Sequence, residues 1–307
     1  MWVTFCLDGS CARHFLDGSQ CQGESFDMIG YLEKKSFNNN DYIEWIRGWC
    51  DLTDNIYVWY YSLEVHFHPY NHLDVLYEDF KLLQSLGIRR MFWQASPYEL
   101  GLQTVQTRIG MAMNCRPEMT KEEFVDEVRR ELELEYGDGW AEIMKILDIW
   151  SEAELRVENC WHCWQYSKYG DYAMLDNDFY LKHWDEILAL LDEAIYKADS
   201  YEMQRAAEIL SVSFLYQGCF SAYFTAYENN DSETMAKLEE RYELLCRRIG
   251  NRAGGRIKGD FEHYVYDDLH KTAWHLWLDE RKYFFPEGAE LKPVPQEYVI
   301  DGWRTEN

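Results

Sequence analysis

Short runs of aromatic and β-branched residues alternate with helical periodicity over the first third of the chain. The runs are Trp2 to Leu7, Ile56 to Tyr61 and Ile88 to Trp93. Between them, apolar positions recur at three- and four-residue steps, which is the pattern of βα units feeding a parallel sheet. Tyr42, Trp45, Ile46 and Trp49 predict one crossover helix, over Asp41 to Cys50. Leu73, Leu76, Tyr77, Phe80, Leu83 and Leu86 predict a second, with Gly87 placed for a left-handed C-terminal cap. After Arg116-Pro117 the strand pattern stops and only helices are expected. Thr120 and Glu123 make a capping box, Gly137-Asp138-Gly139 breaks the helix that follows, and Trp140, Ile143, Met144, Leu147 and Trp150 mark the next. Further helices are expected over Phe179 to Ala198, Glu202 to Tyr216 and Ser232 to Ile249. The chain therefore divides into an α/β region over 1–117, an all-α region over 118–285 packed on it, and a surface tail over 286–307.

Composition narrows the function. Of 307 residues, 55 are acidic and 30 basic, a net charge of −25, which excludes a general nucleic-acid binder held by phosphate contacts. With 47% hydrophobic residues and 6 prolines the chain is not a disordered one. No stretch approaches the ~20 apolar residues of a membrane span, and Met1 to Cys6 lacks the basic and long apolar segments of a signal peptide. The 9 cysteines are an odd number, better suited to reduced thiols than to a disulfide framework. The expectation is a cytoplasmic protein without membrane or nucleic-acid partners, unless an absent N-terminus carries an export signal. The 17% aromatic content suits thick cores, or a site that stacks flat or sugar-like ligands.

The segment Ile56 to Ser62, the helix from Leu73 to Gly87 and the run Met91-Phe92-Trp93-Gln94 resemble the family called domain of unknown function 4838, whose members look like glycosidases. The resemblance continues through Glu99, Arg108 to Met113, Arg116-Pro117, the capped helix from Thr120 and the stop at Glu135-Tyr136-Gly137. It implies the later part of a (β/α)8 barrel followed by helices, and an activity on glycosides. A closed barrel has eight strands over typically about 250 residues, and the pattern here supplies three. The expected fold is accordingly a partial (β/α) barrel with parallel strands, followed by a helical region. A missing upstream segment or a partner chain would complete the sheet.

In such a barrel the site forms at the carboxyl ends of the strands. That places Asp8, Arg13 and His14, then Tyr61, Glu64 and His66, then Gln94 and Glu99 on the loops of one face. Glycoside hydrolysis uses two carboxyl groups, for which Glu99 and Glu64 are the candidates. Asp8, Arg13, His14, Tyr61, His66 and Gln94 are candidates for holding substrate, although Arg13 and His14 equally suit tying down a long loop. The alternative is a non-catalytic carbohydrate-binding or structural fragment. No cofactor or metal is expected. His66, His68 and His72 do not have zinc-signature spacing, Cys160 and Cys163 form a lone C-x-x-C, and Cys6, Cys11 and Cys21 lack a matching ligand set. Gly254-Gly255 reads as a turn, and the aromatic stripe from Phe214 to Tyr227 as core.

Overall fold

Strands β1 (Val3–Cys6), β2 (Ile56–Ser62) and β3 (Met91–Ala95) form one sheet in the order β1-β2-β3, and both pairings are parallel. Parallel neighbours need crossover connections. Helix α1 (Asn39–Cys50) lies between β1 and β2 in the chain, and α2 (Leu73–Ser85) between β2 and β3. The computed structural model describes residues 2–7, 10–21, 38–62, 71, 73–95, 102–157, 160, 175–234 and 236. These belong to a unit spanning Met1–Tyr242, and the remaining unit, Glu243–Asn307, lies outside them. The expected helix from Ser232 falls mostly outside as well, as does the tail. Among the described residues, no helix is long and apolar enough to cross a membrane.

Alternation along the strands gives the sheet two unlike faces. Val58, Tyr60 and Met91 are buried on one, where Tyr60 stacks on Trp93 at 5.2 Å and meets Phe80 of α2 edge-on at 5.7 Å. The other carries Trp59, Tyr61, Phe92 and Gln94, none of them buried. Strand β3 begins three residues later than its apolar run, because Gly87 (φ 82°) turns the chain and Ile88 packs as buried connection first.

Helix α1 buries a stripe of Asn39, Tyr42, Ile43 and Ile46, and leaves Trp45 and Trp49 exposed. The sequence pattern places both tryptophans on the apolar face, with Tyr42 and Ile46. The buried face is rotated toward Asn39, whose side chain serves the loop after β1 and so fixes which side of the helix turns inward.

Helices α3 (Gln103–Cys115), α4 (Lys121–Tyr136), α5 (Trp140–Leu155), α6 (Asn177–Lys182), α7 (Trp184–Lys197) and α8 (Tyr201–Glu228) follow. The capping box is present: the Thr120 hydroxyl accepts from the Glu123 N–H, and the Glu123 carboxylate accepts from the Thr120 N–H. Gly137 (φ 58°) ends α4 at a 3-10 turn, as the Gly-Asp-Gly run predicts. The single helix expected over Phe179 to Ala198 is two, broken at His183, whose N–H bonds Tyr180 as the turn closes. Trp150 of α5 packs edge-on against Tyr180 and Phe214, and the Tyr180 hydroxyl donates to the Phe214 carbonyl at 3.2 Å.

The two layers meet through a glycine. An added Cβ at Gly110 of α3 would lie 2.7 Å from the Trp93 ring, so the helix reaches β3 only because no side chain stands there. Gly48 of α1 has nothing within 4 Å. Gly110→Val is expected to cost about 1–3 kcal/mol through overpacking, whereas Gly48→Ala is expected to stabilise by about 0.4–1 kcal/mol. Urea midpoints check both, and equal shifts at the two positions would remove the close approach as a constraint.

Candidate functional site

The chain leaves β1 at its carboxyl end, with one more ladder bond from the Leu7 N–H to Trp59. It turns at Ser10, whose hydroxyl donates to the Leu7 carbonyl, and enters a loop that is largely buried up to Cys21. A buried loop must find partners for its backbone groups. Asn39, the first residue of α1, accepts from the Cys11 N–H at 2.7 Å and donates to the carbonyls of Cys11 (3.0 Å), His14 (2.8 Å) and Phe15 (3.0 Å). Asn40 donates to the Cys21 carbonyl, and Asn38 caps α1. Gly18 takes φ 80° beside Asn40, where a Cβ would collide with that side chain. Asp79 of α2 closes the clamp: one carboxyl oxygen accepts from the Leu16 N–H and the other meets the Tyr60 hydroxyl, each at 2.7 Å. Burial pushes this carboxyl up to about 7 against the bonds from Leu16 and Tyr60.

Held in this way, the loop directs three side chains to one point. The Sγ atoms of Cys11, Cys21 and Cys160 lie 3.4, 3.6 and 3.8 Å from Nδ1 of His14. All four donor atoms lie within 4.8 Å of one another. The residues are 3%, 7%, 5% and 2% exposed for Cys11, His14, Cys21 and Cys160, so the group is sealed from solvent. None of the three cysteines is in a disulfide. One imidazole nitrogen offers a single hydrogen or a single lone pair, so only one of the three sulfurs can be its hydrogen-bond partner at a time.

Donor and cationic groups border the sulfurs. The Asn39 backbone N–H, at the start of α1, points at Cys21, and buried Arg13 lies beside Glu154, Cys11 and Cys160. A guanidinium nitrogen of Arg13 also reaches the Val157 carbonyl. Burial opposes ionisation of Cys11, but bonds from Cys160, Cys21 and His14 outweigh it and hold this thiol well below its ordinary value. Cys21 is pushed up by the bonds it makes with Cys11 and Cys160, and by burial.

His14, expected to hold a substrate, therefore faces the three sulfurs, and Arg13 ties the loop to the end of α5. Tyr61 and Gln94 are direct register partners at the carboxyl ends of β2 and β3, as adjacent parallel strands require. The Trp59 indole N–H donates to Gln94 Oε1 at 2.6 Å, and Trp59 lies parallel to Tyr61 at 5.7 Å and edge-on to Phe92 at 5.0 Å. Phe92 is 44% exposed. Asp8, Glu64, His66 and Glu99 lie outside the described residues, as do His68, His72 and Cys163.

The cysteines that join His14 were missed by sequence reasoning. Cys11-x-x-His14 followed by Cys21 is the local trace of the group, and the Asn38-Asn39-Asn40 run is the trace of its clamp. The fourth member stands 146 residues from His14, and no spacing rule connects positions so far apart. Comparison of the chain with protein-family models, curated proteins and solved structures found no match.

The clamp is open to test through Asp79. Its folded value is raised from 3.8, so the protonated carboxyl contributes stability that is fully present below about pH 4 and lost as pH rises through about 7. Asp79→Asn removes this dependence, and its stability relative to wild type is expected to improve by a few kcal/mol across that window. Denaturant midpoints at several pH values measure the difference; parallel curves would assign the titration to another group.

Proposed function

We propose that the three βα units are part of a (β/α) barrel and that the chain acts on carbohydrate, as a glycoside-hydrolase-like protein, at the carboxyl end of the sheet. The observation that carries this reading is the face bearing Trp59, Tyr61, Phe92 and Gln94. In a barrel this face turns inward, and the strand ends form the site. Aromatic rings supply a flat apolar surface, and Tyr and Trp combine it with a polar handle. A pyranose needs both, because its C–H face is apolar and its rim is hydroxyl. With Gln94 Oε1 engaged by the Trp59 indole, the Gln94 amide presents N–H donors, which suit a sugar oxygen.

Glu99 and Glu64 follow β3 and β2 in the chain and supply the carboxyl pair in this proposal. Hydrolysis with retention needs about 5–5.5 Å between them, and inversion about 6.5–9.5 Å. In either case one acts as acid and the other as base or nucleophile. Tyr61 and Gln94 position the sugar, with Asp8 and His66 as further substrate contacts. A partner chain or an upstream segment completes the sheet.

Two substitutions test the proposal. Trp59→Ala is expected to weaken binding in a glycan screen about 3- to 10-fold, the equivalent of a lost aromatic contact. Glu99→Gln is expected to abolish turnover of an aryl glycoside while sugar binding survives, since the amide keeps the size but has no exchangeable acid proton. Binding without turnover in the parent chain would make it a carbohydrate-binding module, and neither binding nor turnover would sink the reading.

A further inference from the structure

We propose that Cys11, His14, Cys21 and Cys160 bind a single tetrahedral zinc-class ion through three thiolates and the Nδ1 of His14, and that the ion is a structural cross-link. This does not rest on the carbohydrate reading. A tetrahedral ion with Zn–S near 2.3 Å and Zn–N near 2.0–2.1 Å places sulfur about 3.6 Å from nitrogen. The three observed separations, 3.4, 3.6 and 3.8 Å, bracket that value. Donors gathered within 4.8 Å of one another surround one ion. A two-iron cluster would need its ligands divided between two separated metals.

The donor set selects the metal. Three sulfurs and one imidazole are too soft for calcium or magnesium, and a tetrahedral sulfur-rich site suits zinc. Three thiolates, a neutral imidazole and a divalent cation carry one net negative charge, and the Arg13 guanidinium stands beside two of the sulfurs. Thiols still protonated release their protons to solvent as the ion enters. With four buried protein ligands there is no open position for water or substrate, which separates a structural centre from a catalytic one.

The architecture indicates what the ion joins. Three ligands come from the loop that leaves β1, and the fourth follows α5, 146 residues from His14. The Arg13 bond to Val157 spans the same gap. The ion thereby fastens the end of the sheet to the helical layer, while Asn39 supports the loop from behind, as an outer-shell partner does in a metal site.

The full chain, purified under reducing conditions, is expected to hold one zinc per molecule by elemental analysis. Replacement by cobalt should give the visible bands of tetrahedral cobalt together with thiolate-to-metal charge transfer. Cys11→Ser and Cys160→Ser should lose the stoichiometric metal, whereas Cys50→Ser and Cys115→Ser should keep it. His14→Cys gives a four-cysteine set, and should retain the metal with stronger charge transfer even if the serine variants fail to fold. Chelation should lower the melting temperature of the parent chain. Octahedral cobalt, an iron–sulfur spectrum, no zinc after reconstitution, a disulfide within the group, or full retention in Cys160→Ser would each overturn the proposal.

Discussion

A loop that runs inside a protein must have its backbone N–H and C=O groups bonded from within, and side chains of both crossover helices meet much of that demand here. Asn39 serves the loop from the start of α1 and Asp79 from the middle of α2. Since α1 and α2 are the crossovers on either side of β2, the loop is gripped by both elements that make the sheet parallel. The rotation of α1 about its axis, the φ of Gly18 and the convergence of Cys11, His14 and Cys21 follow from that grip. An unsatisfied buried polar group costs about 1–3 kcal/mol, so losing Asn39 exposes four backbone groups to the penalty at once, and losing Asp79 exposes the Leu16 N–H and the Tyr60 hydroxyl.

The acidity of the chain reaches its interior. Glu127, Glu131, Glu142 and Glu154 are all buried. Glu127 receives Arg116 and Arg130, Glu131 receives Arg108 and Arg130, and Glu142 receives Lys145 and Lys197. Burial alone would raise Glu127, but its hydrogen bonds from Arg130 and Arg116 hold it below the ordinary carboxylate range. Breaking such a pair leaves an uncompensated charge, so the basic residues around α4 are structural despite the large negative excess.

Local pattern was enough to read the sheet. Runs such as Ile56 to Tyr61, followed by amphipathic crossovers, leave parallel pairing as the short route back, and the Thr120 cap and the Gly137 stop are each written within a few residues. The pattern failed where long-range contacts decide. Trp45 and Trp49 share a helical face with Tyr42, yet the partner of Asn39 determines which way α1 turns. Phe179 to Ala198 reads as one helix because nothing in its apolar spacing marks the turn at His183. The sulfur and imidazole group was illegible for the same reason: Cys11 and Cys21 show half of a pattern, and Cys160 belongs to a different layer. Glu99 and Glu64, chosen by their place after strands, fall outside the described residues.

The gap between His14 and Cys160 also sets an order in time. Chains emerge from their amino end, and at roughly 5–20 residues per second the 146 residues between them take about 7–30 s to synthesise. The loop's partners on the two crossover helices, Asn39 and Asp79, both lie before Ser85, so they are synthesised well before the fourth wall of the thiol and imidazole group. Until then Cys11, His14 and Cys21 lack their last shield, and the group closes only once α5 has been made and Cys160 arrives.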